Sequence, residues 1–440
     1  MDIVVGNGTS SIPLDHATVW SIGIFAAGIG LSLLVGMSTS GFVRGTAVAA
    51  PLVLLFFAYA AFEEPLGATM AAAGLRNGRP VIFAFLYLII AISLFRASKD
   101  RSVQRALIFT PIVFLLSSSA YATWNAGWIS TSGASATELP ILTQRINVYH
   151  FLFDGLARPE VLQQKLGLTV IDSRSAFSAR GFVVPDNVRA AYPSTLESVG
   201  SIFNQGQPTA PGAKLRLDES FVVRTFRNNG YSYGRYGEVF SSFVCSGKEN
   251  FCLSKGSGLS EFDSIMISRT AIYPAIRRLL IAKAASAHLQ ANLAGIAAAR
   301  WGGPTYFFSY MVPPHPPYIF SRECRADQAQ GGYQAWDRVA AARYGWGYDC
   351  VIRAALDTVN KIINRDPKAI IIISGDHGTM FTHEGPNSKI WTRSALNERL
   401  PTFLAIRGPT ECASTFAKIN RLIEIYPSIF KCLARKRSLE

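Results

Sequence analysis

Residues Ile370–Met380 read "IIIISGDHGTM". Four consecutive isoleucines, with no polar residue alternating among them, are the pattern of a strand buried on both faces, as in a parallel sheet. The run stops at Gly375 and presents Asp376 and His377 side by side at its tip. A buried strand is a rigid support, and ligands for a metal need fixed elements beneath them. The same format recurs upstream in "INVYHFLFDGLARPE", where a strand over Ile146–Phe153 ends in Asp154-Gly155 and gives way to a helix through Arg158, Pro159 and Glu160. "TYFFSYMVPPHPPYIF" predicts an aromatic strand over Thr305–Val312 that runs into prolines around His315. Tyr344–Ile363 has helical spacing, Ser260–Ala299 is alanine-rich and helical, and "PTFLAIRGP" (Pro401–Pro409) is a further short strand. Strands alternating with helices predict an α/β fold with a mostly parallel sheet covered on both faces.

In such a sheet, functional groups collect beyond the carboxyl ends of the strands. Asp154, Asp376 and His377 all fall there, and two carboxylates with an imidazole suit a hard-to-borderline divalent cation. "YPSTLESVGSIFNQG" adds a hydroxyl at a helix start, where free amides and the helix dipole favour an anion. Thr195 is the candidate nucleophile, with Ser194 as the rival hydroxyl and a plain helix cap as the alternative role for Thr195. A divalent cation beside it would lower the hydroxyl's pKa. His315 competes between a site role and simple packing in its proline loop. His150, inside a strand, reads as structural, as do Trp336, Trp346 and Trp391.

The chain has 440 residues, 49% of them hydrophobic, with a mean hydropathy of +0.21. The excess lies at the N-terminus. Val19–Gly36, Gly45–Phe62, Val81–Phe95 and Ala106–Trp124 are almost free of charge and approach the ~17–25 residues of a membrane-spanning helix. "RASKDRSVQR" between the third and fourth carries Arg96, Lys99, Arg101 and Arg105, and the first connection carries Arg44. The second pairs Glu63 and Glu64 with Arg76 and Arg79, and the N-terminal tail holds only acids. The positive-inside rule makes the first and third connections cytoplasmic, so the N-terminus and all that follows Trp124 lie outside. The expected organisation is a four-helix transmembrane bundle with its tether over residues 1–140 and an extracytoplasmic α/β domain over residues 141–440. Of the net charge of +14, all but +1 belongs to that second segment. Such a surplus suits anionic lipid headgroups or phosphorylated glycans. All six cysteines also lie there, and an even number in an exported segment reads as a disulfide framework. Six cysteines allow fifteen connectivities; sequential pairing (245–252, 324–350, 412–432) closes the shortest loops, with "CSGKENFC" as a small clip.

These ordered motifs resemble the alkaline phosphatase/sulfatase superfamily, and most of all its membrane-anchored branch of phosphoethanolamine transferases and lipoteichoic acid synthases. "FDGLAR", "TLESVGSIFN", "PPHPPY" and "SGDHG" carry the resemblance across roughly residues 146–410, together with the helical "YGWGYDCVIRAALDTVNKII". It implies an alkaline phosphatase-like α/β/α domain holding one divalent metal ion, zinc or manganese, on Asp154, Thr195, Asp376 and His377. Thr195 would also take a phosphoryl group covalently, and His315 would contact the phosphate or protonate the leaving group. The implied donor is a phospholipid and the acceptor an anionic envelope lipid or glycan, at a bacterial inner membrane; nucleic acid is not an expected partner.

The departures matter equally. No Cys/Ser-x-Pro-x-Arg setting for a formylglycine exists, which separates the chain from true sulfatases. No Asp-x-x-x-His pair exists for a second metal, leaving only His315 and His383 to hold a weaker one. Where many relatives carry a histidine five residues before the PHPP histidine, this chain has Tyr310. Hydrolysis of phosphate or sulfate esters, and a degenerate membrane scaffold, are the competing functions.

Overall fold

A computed structural model describes residues 41–57, 79–109, 138–209, 215–236, 248–253, 302–325, 340–382 and 391–434. Scattered positions within 23–37, 267–270 and 289–299, and Trp336, are also described. The chain divides into two compact units, residues 1–130 with 259–277, and residues 131–258 with 278–440.

In the first unit, helices α1 (Phe42–Phe57) and α2 (Arg79–Ala97) are both described. The Tyr87 hydroxyl donates to the Leu52 carbonyl at 2.7 Å, and Arg44 lies over the Phe95 ring while donating to Ser98 Oγ. Nearly every exposed large apolar side chain among the described residues belongs to this unit, including Leu34, Met37, Phe42, Phe85 and Leu88; only Ile141 and Leu196 lie elsewhere. Among the described residues no helix is long and apolar enough to cross a membrane. In α2, side chains are described from Phe85 onward; the expected spans Val19–Gly36 and Ala106–Trp124 fall partly, and the latter largely, outside the described residues.

The second unit is built on a six-stranded sheet: β1 (Val148–Phe153), β2 (Ser232–Tyr236), β3 (Phe251–Leu253), β4 (Thr305–Met311), β5 (Ile370–Gly375) and β6 (Leu404–Arg407), in the order β3-β2-β4-β1-β5-β6. All pairings are parallel except β5 with β6, so the "PTFLAIRGP" strand is an antiparallel edge shortened to Leu404–Arg407. β2, "SYGRY", was not expected; its buried Arg235 pairs with the buried Glu249 at 3.4 Å. Every residue of β1, β4 and β5 is buried, which is why their sequences lack polar alternation. Val148, Leu152, Tyr306, Phe308, Ile370 and Ile372 face one large apolar cluster. It is completed by helices α4 (Thr195–Phe203), α5 (Phe221–Asn228) and α8 (Ile425–Leu433). Tyr149, Phe151, Ile371 and Ile373 point to the opposite face by strand alternation and are equally buried. The sheet is therefore covered on both sides. Between these elements lie α3 (Pro159–Leu166), opened by its Pro at the first turn, α6 (Ala341–Arg365) and α7 (Arg393–Arg399). Of the helical stretch predicted at Ser260–Ala299, the described positions 267, 289–290 and 292–298 are helical.

His150 sits wholly inside this core, between the Tyr426 hydroxyl at 2.7 Å and Ser374 Oγ at 2.8 Å. Burial pushes its pKa down to about 3, so it stays neutral and structural. Disulfides join Cys324–Cys350 and Cys412–Cys432, as sequential pairing expects. Cys252 is disulfide-bonded, but the expected partner Cys245 lies outside the described residues.

Candidate functional site

β1 and β5 are neighbouring parallel strands with Phe153 in register with Gly375. The next residue on each is an aspartate, so Asp154 and Asp376 emerge side by side at the carboxyl edge of the sheet. Two glycines let the chain pack tightly there. A Cβ on Gly375 would lie 2.6 Å from the Leu156 carbonyl oxygen, and one on Gly378 would lie 2.6 Å from the carbonyl oxygens of Glu398 and Pro401. The glycines of "SGDHG" are thus explained by close backbone approach.

Each aspartate spends one oxygen on a protein donor and keeps the other. Asp376 Oδ1 accepts from the backbone amides of Gly155 and His377, both at 2.9 Å. Asp154 Oδ2 accepts from the Tyr310 hydroxyl. The remaining oxygens, Asp154 Oδ1 and Asp376 Oδ2, are buried without a hydrogen-bond partner and lie 3.6 and 3.1 Å from His377 Nε2. His377 Nδ1 lies 3.0 Å from the Gly378 carbonyl, which accepts from it and so fixes the tautomer with the Nε2 lone pair turned to the carboxylates. One ligand atom from each of the three residues lies within 4.8 Å of the others. Buried carboxylate oxygens without donors are expensive unless a cation takes them, and this donor set fits a divalent metal. Without one, burial pushes Asp154 up to about 6, and burial together with Asp154 pushes Asp376 up to about 7. Burial and the neighbouring Arg399 hold His377 well below its usual range, so it is neutral and can act as a ligand.

Thr195 is the first residue of α4, and its Oγ1 lies 3.0 Å from His377 Nε2. The helix cap is Ser194 instead: its hydroxyl accepts from the Glu197 amide and donates to Glu197 Oε2 at 2.6 Å. The two rival hydroxyls therefore have separate duties, and the one facing His377 is Thr195. Ser198 Oγ, one turn on, donates to the Asp376 carbonyl at 2.7 Å and docks the helix onto the end of β5.

His315 lies in the proline loop after β4, near Gly155: its Cδ2 would be 3.8 Å from a Cβ placed on that glycine. Its ring meets Trp336 edge-on at 5.1 Å, and Nδ1 donates to the Pro316 carbonyl at 2.8 Å. Burial lowers its pKa to about 4. It is therefore neutral near pH 7. Trp336 is core-like, packed on Tyr344 and Phe381 as well. His383 lies outside the described residues, and with it the second-metal expectation.

Sequence reasoning did not find Arg399. This buried guanidinium at the end of α7 donates from Nε to the Pro193 carbonyl (2.7 Å), from Nη1 to the Gly378 carbonyl (3.0 Å) and from Nη2 to His377 Nε2 (2.6 Å). Its neighbour Glu398 turns the other way and accepts from Thr379 Oγ1 and the amides of Phe381 and Thr382. The one available signal was "ERLP", two adjacent charges running straight into an apolar strand. Tyr310, a departure from the family pattern, holds the Asp154 carboxylate.

No protein-family model matches the chain, and no curated protein does. Among solved structures, the chain is similar to the phosphonate monoester hydrolase of Agrobacterium radiobacter, at 12% identity and a TM-score of 0.44, covering 66% of this chain and 74% of that one. It is also similar to the C-terminal periplasmic domain of EptC from Escherichia coli in complex with zinc (11%, TM-score 0.41, 68% of this chain and 86% of that one). A third is BT1596, a 2-O GAG sulfatase (14%, TM-score 0.39, 60% and 65%). These neighbours are enzymes of the alkaline phosphatase/sulfatase superfamily, the one the sequence motifs resemble.

Proposed function

We propose that the chain is a membrane-anchored, metal-dependent enzyme that transfers a phospho-alcohol group, of the phosphoethanolamine or phosphoglycerol type, from a phospholipid to an anionic envelope lipid or glycan. The observation that carries this reading is the convergence of two unpartnered, buried carboxylate oxygens, His377 Nε2 and the Thr195 hydroxyl. Asp154, Asp376 and His377 would hold one divalent cation, zinc or manganese, with Thr195 beside them. When bound, the cation supplies charge neutralisation and a lowered hydroxyl pKa. Thr195 Oγ1 forms the bond to phosphorus, the bond from phosphorus to the donor's alcohol oxygen breaks, and that alcohol leaves with a proton. The acceptor hydroxyl then forms its bond to that phosphorus as the bond from phosphorus to Thr195 Oγ1 breaks, and the acceptor's proton is relayed to the departing Thr195 oxygen, a relay in which neutral His315 would serve. Water in place of the acceptor would give hydrolysis with the same residues.

Anchoring is supported by the concentration of exposed apolar side chains in the first unit, larger than single scattered residues would give. The basic balance of the second segment is consistent with anionic partners, and its disulfides with an oxidising, extracytoplasmic location. The test is to incubate the full chain with zinc and a fluorescent phospholipid in vesicles. Diacylglycerol release should coincide with a mass increase on the peptide bearing Thr195. Absence of both metal binding and any adduct on Thr195 would reject the reading. Loss of label to water alone, with every acceptor tried, would reduce it to hydrolysis.

A further inference from the structure

We propose that Arg399 is the anion-recognition residue of this site, held on His377 Nε2 until a divalent cation takes that nitrogen. The inference rests on the metal-site reading above and goes beyond it. Two of the three Arg399 hydrogen bonds go to backbone carbonyls, of Pro193 and Gly378, and fix the guanidinium plane over the Trp336 ring. The third, from Nη2, goes to the nitrogen that the metal site needs. An imidazole nitrogen has one lone pair in the ring plane, so it cannot serve an N–H donor and a cation together. Ligation therefore displaces Nη2 from that nitrogen, and the guanidinium shifts to make room for the cation while the Pro193 and Gly378 carbonyls remain its partners.

The freed donor lies where it is useful. Thr195 Oγ1 touches the same Nε2 at 3.0 Å, so Nη2 and the nucleophile flank one point. An oxygen on the phosphorus or sulfur attacked by Thr195 falls within reach of that donor, and a guanidinium suits such oxygens geometrically. Charge points the same way. Without a metal, the single positive charge of Arg399 faces the carboxylates of Asp154 and Asp376, with Glu398 engaged on its own loop. A divalent cation would neutralise those two carboxylates and leave Arg399 as surplus positive charge for an anionic ester. Arg399 is thus both a competitor for the metal and a partner for the substrate.

These roles give opposite signs that a scaffolding arginine would not. Titrate zinc into the metal-free full chain by calorimetry, then titrate inorganic phosphate into the zinc-loaded protein, for wild type, Arg399→Met and Arg399→Lys. Arg399→Met should bind zinc about tenfold or more tightly than wild type, and phosphate at least tenfold more weakly. Arg399→Lys keeps the charge but not the planar fork, and should fall between the two on both measures; it also stands in if Arg399→Met does not fold. Zinc binding equal to or weaker than wild type in the variants would overturn the displacement, and unchanged phosphate affinity would overturn the recognition. Failure of wild type to bind zinc or manganese would instead reject the metal site itself.

Discussion

Ser194 and Thr195 are adjacent hydroxyls at one helix start, and their geometry predicts that substitutions separate stability from turnover. Ser194 caps α4, accepting from the Glu197 amide and donating to Glu197 Oε2. Ser194→Ala removes that cap, which typically costs about 1 kcal/mol. For a unit of this size the loss lowers Tm by roughly 2 °C. Turnover should stay within about tenfold of wild type, because Ser198 still docks the helix on the Asp376 carbonyl. Thr195→Ala removes a hydroxyl that lies between His377 Nε2, which keeps its bond from Arg399, and the Asp376 carboxyl, which keeps the Gly155 and His377 amides. Alanine is a good helix former at the first position, and the stability change should fall within about 0.5 kcal/mol. Turnover should drop by at least about a thousandfold, as expected for a lost nucleophile. Thr195→Ser should retain part of the activity. Thermal melts of purified protein, paired with diacylglycerol release, read both quantities on the same samples. Full activity in Thr195→Ala with loss in Ser194→Ala would move the nucleophile by one residue. Full activity in both would end the covalent scheme.

Three further outcomes follow from the same structure. The raised pKa values of Asp154 and Asp376 (about 6 and about 7) stabilise the metal-free fold below about pH 4 and lose that contribution as pH rises through 6 to 7. The zinc-induced rise in Tm should therefore be small at pH 5 and large at pH 7.5; a pH-independent rise, or the same profile in Asp376→Asn, would contradict this. Gly378→Ala forces a Cβ against the Glu398 and Pro401 carbonyl oxygens, so it should destabilise by about 1–3 kcal/mol and weaken metal binding; a wild-type melt and zinc titration would refute it. Cys412–Cys432 closes a loop with a sequence separation of 20, so replacing both cysteines by alanine should destabilise by roughly 3 kcal/mol in a chemical melt, and equal midpoints would count against it.

What the sequence revealed depended on how local each signal is. β1, β4 and β5 are central strands buried on both faces, so apolar composition alone marks them. Asp154 and Asp376-His377 stand out because a charge directly after such a run must lie at the strand's end. β2 escaped because an edge-ward strand containing glycine and arginine has no clean pattern; its Arg235 is tolerated through Glu249, a partner invisible to periodicity. The four expected spans rest on composition over stretches that only partly coincide with described residues.

Arg399 escaped for a different reason, and that reason says how the site is assembled. Its helix is short, and nothing in seven residues indicates which side chain turns inward. Its place is set by backbone on three sides. Gly378 donates its amide to the Arg399 carbonyl at 2.6 Å, Phe403 donates to the Leu156 carbonyl, and Gly375 donates to the Phe403 carbonyl. Those bonds tie the segment around Pro401 to the loops after β1 and β5, which carry Asp154 and Asp376. Arg399 then reaches across to the Pro193 carbonyl, two residues before Thr195. One side chain thus links the loop that leads into Thr195 to the strand end that carries Asp376 and His377. Truncating it should free the Pro193 carbonyl and loosen the approach of the Thr195 helix, whereas Asp376→Ala should leave that helix in place, because its Ser194 cap and apolar face do not depend on the carboxylate.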